Sequence, residues 1–160
     1  MSLLFKFPEY YDLLTRYEPT AVRVGDAWLL GAFYARLGWC EWWFGFFDQA
    51  IQTLTKAAEL CEAVWNAEDA GQAYMLLQWS HFLKGDYDHV LALKEQVLRT
   101  MERGFNPRWY IWAVTATSFT YARLGRWEQA VEEGQKALRV GEEFSDNSII
   151  SFAALTLSMA

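Results

Sequence analysis

The chain has 160 residues, of which 53% are apolar, and it carries a formal net charge of −6. This length suits one domain with a sizeable core, or three to four repeats of roughly 40 residues each. The acidic balance argues against a nucleic-acid partner, because phosphate binding requires a basic surface and the sequence shows none. Cys40 and Cys61 suit buried thiols in a reducing compartment, so we expect a cytoplasmic protein.

The most apolar stretch of the chain, residues 27–47, has the length of a bilayer span. Arg36 and Glu41 lie near its middle, where ionisable groups are costly in lipid. The stretch begins 40 residues before segment 67–84 and 80 residues before segment 107–124, and both of these segments are too polar to span a membrane. We therefore expect a buried helix here and no membrane partner.

The sequence has a 40-residue period, because Gly45, Gly85 and Gly125 are spaced 40 residues apart. A fixed period of this length is typical of repeat proteins. Each glycine is followed by an aromatic residue two positions later and by small apolar residues five and twelve positions later. These positions are Phe47, Tyr87 and Trp127; Ala50, Val90 and Ala130; and Ala57, Val97 and Ala137.

In chain order, the period predicts an unpaired second-type helix over 8–24, in which Pro19 is expected to break or kink the chain after Glu18. Repeat units follow over 26–65, 66–105 and 106–145. In each unit a polar cap (Asp26, Asn66 or Asn106) starts a first helix, and the glycine ends that helix in a left-handed conformation before the second helix begins. The predicted helices are 27–44, 47–64, 67–84, 87–103, 107–124 and 127–144.

Residues 146–160 are expected to form the first helix of a truncated fourth unit. Both ends then leave half a repeat without its partner, which favours an excised piece of a longer array. Since such terminal helices leave apolar faces uncovered, we expect a possible homodimer to form through them.

The segments Gly85-Asp86-Tyr87-Asp88 and Gly125-Arg126-Trp127-Glu128-Gln129-Ala130 carry the clearest pattern. This pattern resembles the tetratricopeptide repeat, with departures at Gln78, Val90 and Val97 and a period longer than the usual 34. The resemblance implies an all-α fold, in which antiparallel helix pairs stack into a right-handed superhelix (an α-solenoid). Elongated repeats of this kind resemble the sensor arrays of large bacterial signalling proteins, including regulators of the maltose-activator type and nucleotide cyclases with an ATPase module.

The resemblance also places the first helices along a concave groove, and seven of the nine tryptophans lie in these helices. It implies that the groove is lined by Ala35, Trp39, Trp42 and Trp43 in the first unit, Gln72, Met75, Trp79 and Phe82 in the second, and Trp112, Thr115, Phe119 and Arg123 in the third. We expect Trp39, Trp42, Trp79 and Trp112 to converge on one concave surface. Trp79 would be a binding anchor if its indole is exposed, whereas burial of Trp39, Trp79 and Trp112 between helices would favour the structural alternative.

The chain is therefore expected to be a non-catalytic interaction or sensor module of a larger bacterial signalling protein. Its groove would bind a protein or peptide segment or a small-molecule effector, and adjacent domains of the parent chain would be further partners. The alternative is a purely structural scaffold that associates with itself and binds no ligand.

No catalytic or cofactor site is expected in these residues. His81 and His89 stand on two different predicted helices, and no cysteine or histidine spacing suits a metal site. We expect His81 to be a core or groove-edge residue, because it takes the position of Tyr121 in the next unit. Four glutamates on the predicted helix over 127–144 are expected to form a solvated face: Glu132, Glu133, Glu142 and Glu143. No glycine-rich phosphate loop is present, and no cofactor is expected.

Overall fold

The computed structural model describes residues 6–104 and 106–144, together with residues 147, 150, 151, 154, 157 and 158. Within these residues the chain is all-α, as predicted. The helices are α1 (Phe7–Val24), α2 (Ala27–Trp43), α3 (Phe47–Ala63), α4 (Ala67–Leu83), α5 (Tyr87–Arg103), α6 (Pro107–Arg123) and α7 (Trp127–Glu143). None of the helices in this part of the chain is long and apolar enough to cross a bilayer.

Side-chain caps fix where the first helices begin. The Asp26 carboxylate accepts a hydrogen bond from the Leu29 N–H at 2.9 Å, and Asn66 and Asn106 cap α4 and α6 in the same way. These bonds satisfy backbone donors that have no partner inside a helix. The sequence prediction of the three caps is confirmed.

Left-handed glycines end the first helices, as predicted. Gly45, Gly85 and Gly125 have φ angles of 76°, 77° and 71°. In each turn the residue after the glycine donates a backbone hydrogen bond of 2.9 Å across the glycine to the helix that has just ended. A Cβ at any of these glycines would have open space around it, so the glycine is not required for close packing. It is required because residues with a side chain rarely adopt this positive φ.

Pro19 does not break the first helix after Glu18, because α1 is continuous to Val24. Pro19 is exposed, as is Thr15 one turn earlier. Water can therefore satisfy the carbonyl that proline leaves without a donor. Among the described helices α1 contacts only α2, and it buries only Leu14.

Helix α4 lies at the centre of the described packing, in contact with α2, α3, α5 and α6. All its residues from Asp69 to Ser80 are buried. A helix that is buried on every side needs no single apolar stripe, which explains why polar residues such as Gln72 and Gln78 stand beside Met75 in its interior. Because α4 contacts both α2 and α6, side chains from three units reach a common surface.

Small residues let the second helices approach the first ones. Ala50, Val90 and Ala130 are all fully buried. Facing them, the Gln78 amide nitrogen donates to the Val90 carbonyl at 3.1 Å, and the Ser118 hydroxyl donates to the Ala130 carbonyl at 2.7 Å. The predicted structural role of the small residues is confirmed, and the departure at Gln78 is explained because its long side chain reaches the neighbouring backbone.

One residue of the expected solvated glutamate face is buried. Glu133 forms ion pairs with Lys94 of α5 at 2.8 Å and with Lys136 at 2.9 Å. The expectation of a fully solvated face is wrong at this position, because α7 turns Glu133 toward α5, where two lysines compensate its charge. Glu132, Glu142 and Glu143 are exposed, as expected.

The predicted helix over 146–160 falls mostly outside the described residues. Those that are described there, namely 147, 150, 151, 154, 157 and 158, are helical. Leu157 approaches Gly134 so closely that a Cβ on the glycine would lie 2.8 Å from the leucine side chain.

We predict that Ala130→Arg lowers the free energy of unfolding by several kcal/mol, because it places an unpaired charge at a fully buried position. Gln129→Arg, at the exposed neighbouring position, is the matched control and should change the free energy of unfolding little. Urea unfolding of both variants measures the difference. Equal midpoints for the two variants would contradict the packing described for α7.

Burial raises the pKa of Glu41 above its usual value of 4.5, an effect opposed by a hydrogen bond from Thr53 and increased by the charge of Glu18. The folded state then holds a proton that the unfolded state releases. We therefore predict that the free energy of unfolding falls as the pH rises from about 4.5 through the raised folded pKa. Glu41→Gln should remove this decline, measured by urea unfolding across that pH range. Parallel curves for the two proteins would contradict it.

Candidate aromatic binding site

Aromatic side chains from α2, α4 and α6 form one connected row. The Trp112 ring lies 6.3 Å from the Trp42 ring and 5.9 Å from the Trp79 ring, measured between centroids, and both contacts are edge-to-face. Aromatic pairs prefer this geometry. The row, which we call the aromatic row, consists of Trp43, Trp42, Trp112, Trp79, Phe119 and Phe82.

The row crosses the three helices diagonally. Trp42 lies near the end of α2, whereas Trp112 lies near the start of α6. Trp39 and Trp79, which hold equivalent positions of the repeat, have no direct ring contact, whereas the rings of Trp79 and Phe119, which are also equivalent, lie 6.1 Å apart. Trp42, Trp79 and Trp112 thus meet in the structure, although the three residues hold different positions of the 40-residue repeat.

Trp79 is only 8% exposed, so the expectation that it is an exposed anchor is wrong. Its indole N–H donates to the Trp112 carbonyl at 3.0 Å, which ties α4 to α6. Four other residues expected to line the groove are also buried: Ala35, Gln72, Met75 and Thr115. These residues are buried because α4 packs closely against α2 and α6, and this packing covers the side chains that lie between neighbouring first helices.

Helix α1 contributes one side chain to the end of the row. Phe7 packs against Trp39 and Trp43, with centroid distances of 5.6 Å in both pairs. Trp39 is partly buried by this arrangement, whereas Trp43 is exposed. Because α1 contacts none of the other described helices, it leaves the part of the row on α4 and α6 uncovered.

The opposite end of the row opens into a cleft of about 540 Å³. Phe82 and Phe119 form part of its wall, and Trp127, at the start of α7, is 53% exposed beside them. The full lining, which we call the aromatic cleft, is Phe82, Phe119, Ala122, Arg123, Gly125 and Trp127. The sequence interpretation assigned Phe82, Phe119 and Arg123 to the groove but missed Trp127, which it took as a structural aromatic of the repeat.

Two arginines on the first helices differ in their availability for binding. Arg36 donates to Asp69 at 2.6 Å and to Gln72 at 2.7 Å, so it is bound within the α2–α4 contact. Arg123 is exposed and forms no ion pair with any described residue. The aromatic cleft therefore carries one available positive charge.

Neither thiol is suited to nucleophilic chemistry. Burial, with a further contribution from the charge of Glu41, raises the pKa of Cys40 to about 11. Burial and the charge of Asp69 raise the pKa of Cys61 to about 12. The thiolate is the reactive form, so both residues act as small packing groups at neutral pH. This agrees with the sequence interpretation of buried thiols.

The turn at Gly85 brings together two histidines that the sequence interpretation kept apart. The rings of His81 and His89 stack with centroids 4.8 Å apart, and the Nδ1 atom of each lies within 3.0 Å of the Asp86 carboxylate. The hydrogen bond from His89, with another from His81, lowers the pKa of Asp86. The signal that could have found this cluster is the spacing His-x4-Asp-x2-His across a predicted turn.

Comparison with known proteins does not identify a function for this chain, so the function is inferred from the geometry of the aromatic residues. No family model matches the chain, and no curated protein matches it. The tetratricopeptide resemblance therefore stays a prediction, and the aromatic row and aromatic cleft are interpreted from their own chemistry.

We predict that Trp79→Ala lowers the free energy of unfolding by about 3–5 kcal/mol, because it empties a buried site and removes a hydrogen bond between helices. Trp43→Ala is the matched control, since that indole is 51% exposed, and it should have a much smaller effect. Urea unfolding monitored by far-UV circular dichroism compares them. A wild-type midpoint for Trp79→Ala would restore the exposed-anchor interpretation.

Proposed function

We propose that this chain is a non-catalytic recognition module whose aromatic cleft binds an apolar segment of a protein partner. The observation that carries the proposal is the cleft itself, with Phe82, Phe119 and Trp127 around a volume of about 540 Å³. Ligand sites typically occupy roughly 300–1,000 Å³ and combine apolar walls with a few polar groups. A planar small-molecule effector is the other ligand that this lining suits.

The exposed indole of Trp127 supports a role in binding. A large aromatic side chain that is exposed at a concave site provides much contact area for little conformational entropy, and tryptophan is enriched among the residues that contribute most to binding. Phe82 and Phe119 are held by each other and by the buried Trp79, so they provide a rigid wall. Such pre-organisation reduces the entropic cost of binding.

Arg123 supports a more specific description of the partner segment. Its guanidinium lines the cleft and is unpaired within the described residues. The complementary segment therefore carries an aromatic or large aliphatic anchor next to a carboxylate, which arginine binds with two parallel hydrogen bonds. A purely acidic tail suits the cleft less well, because a single available cation lies among aromatic walls.

The proposed architecture is the right-handed superhelical stack of antiparallel helix pairs that the tetratricopeptide resemblance implies. It is supported by the three equivalent glycine turns and by the contacts of α2 with α4 and of α4 with α6. From the same resemblance we propose a cytoplasmic sensor module of a larger bacterial signalling protein, either a transcriptional regulator or a nucleotide cyclase, whose adjacent domains are further partners.

A peptide-library selection against the untagged chain tests the proposed function. We predict that selected peptides share an aromatic or large aliphatic residue, and that Trp127→Ala weakens their binding by about 10-fold or more, as loss of a binding anchor does. Trp28→Ala is the matched control, because Trp28 is 51% exposed but lies on α2 outside the cleft. Fluorescence anisotropy measures both affinities, and circular dichroism confirms that both variants are folded.

Equal affinities of the Trp127→Ala and Trp28→Ala variants for the selected peptides would contradict the proposal. Selection of peptides that are rich only in acidic residues would contradict the proposed apolar anchor. If Arg123→Gln then abolished their binding, the cleft would still be the binding site.

The structural alternative is favoured by a different surface. Helix α1 exposes Leu13, Tyr17, Val22 and Val24, and its face away from α2 has no partner among the described helices. Exposed apolar faces of this kind promote self-association. The two functions differ in oligomeric state, since a scaffold of this type forms a homodimer through α1 without any partner, whereas the recognition module binds its peptide as a monomer.

A further inference from the structure

Three side chains with metal-binding chemistry meet at the turn between α4 and α5. His81 lies in the last turn of α4, Asp86 precedes α5, and His89 lies in the first turn of α5. The Nδ1 atom of His81 is 3.0 Å from an Asp86 carboxylate oxygen, and the Nδ1 atom of His89 is 2.8 Å from the carboxylate. Each residue contributes one potential ligand atom, and these three atoms all lie within 4.8 Å of one another.

The turn itself does not require these three residues. In the equivalent turns the positions are occupied by Glu41, Phe46 and Gln49, and by Tyr121, Arg126 and Gln129. Those turns have the same left-handed glycine and the same backbone hydrogen bond of 2.9 Å across it. The chain thus contains two turns of the same geometry that lack the cluster, so a structural role in the turn does not explain it.

The two carboxylate oxygens of Asp86 face the two imidazoles. One oxygen lies 3.0 Å from Nδ1 of His81, and the other lies 2.8 Å from Nδ1 of His89. The backbone N–H of His89 adds a weaker interaction with the same carboxylate. The three side chains are therefore directed at one another.

We propose that His81, Asp86 and His89 bind a divalent transition-metal ion of the zinc type. Imidazole nitrogen and carboxylate oxygen are ligands that zinc accepts, with bond lengths of about 2.0–2.2 Å. Two ligands of a tetrahedral ion at that distance are separated by about 3.3 Å. The observed separations of 2.8 and 3.0 Å between each Nδ1 and the carboxylate are within a few tenths of an ångström of that value.

The metal ion would replace the hydrogen-bonding protons that lie between the rings and the carboxylate. Each histidine would bind the ion through Nδ1 and carry its remaining proton on Nε2. Solvent can reach the site, since the side chain of His89 is 65% exposed and that of Asp86 is 38% exposed. Three protein ligands leave the fourth tetrahedral position open for water or for a donor from a bound partner. The ion would link the end of α4 to the start of α5.

Isothermal titration calorimetry with ZnCl₂ on the untagged, chelator-treated chain tests the proposal. We expect one zinc ion per chain. The chain has only these two histidines, so the test variants can take the residues that the other two turns already contain, namely His81→Tyr and His89→Gln. Loss of either ligand should weaken zinc binding by at least the roughly 10–100-fold that removal of an outer-shell partner causes. Asp86→Asn should also weaken binding, whereas Asp88→Asn, at an exposed neighbouring aspartate, should not.

A second measurement separates metal ligation from an effect on folding. Long-range ¹H–¹⁵N correlation spectra of the two imidazoles should show that zinc moves both rings to the form with the proton on Nε2, while thermal melts of the metal-free variants stay close to the wild type. Absence of zinc binding by the wild-type chain, or equal zinc affinity of the wild type and the His89→Gln variant, would overturn the proposal. Zinc binding without a change in either imidazole would overturn it as well.

Discussion

The burial of α4 on every side is the constraint on which the described structure depends. Helix α4 contacts the first helices α2 and α6 and also the second helices α3 and α5, so its interior residues have no open face. Residues 69–80 are buried regardless of their polarity. Three of them bind neighbouring helices: the Gln78 amide nitrogen donates to α5, and Asp69 and Gln72 bind Arg36 of α2. The aromatic row is a consequence of this packing, since Trp79 on α4 meets Trp112 on α6, and Trp112 in turn meets Trp42 on α2.

The same constraint divides the aromatic residues into two groups with different roles. Trp79 and Met75 lie under the surface, where they hold α2, α4 and α6 together and would not contact a ligand. Trp127, Phe82 and Phe119 lie where the row meets the turn between α6 and α7, and they surround a cleft of ligand size. A binding site whose walls are supported by a buried indole is rigid, which suits recognition of an extended apolar segment.

Much of the fold could be predicted from the sequence because its signals are local. Glycines that need positive φ and capping asparagines and aspartates each act within one helix or one turn. Together with the fixed spacing of the small residues, they located six helices within about one residue. The candidate site was less predictable because burial depends on how neighbouring helices pack. The repeat register suggested that Trp79 faces a groove, but the approach of α6 covers it; conversely, Trp127 has the spacing of a structural aromatic and is nevertheless exposed. The meeting of His81 and His89 also depends on the turn geometry, which separation along the sequence does not reveal.

The nine tryptophans give a direct test of the central claim that the aromatic cleft, rather than the row as a whole, receives the partner. Each indole N–H gives its own signal in a ¹H–¹⁵N spectrum of the labelled chain, so a titration with a selected peptide reports on every tryptophan at once. We predict that the Trp127 signal shifts most and that the Trp28 signal is unaffected. The Trp79 signal, whose N–H is hydrogen-bonded to the Trp112 carbonyl, should shift little. Large shifts at Trp28 or Trp43 with none at Trp127 would contradict it, because the partner would then contact α2 and leave the cleft empty.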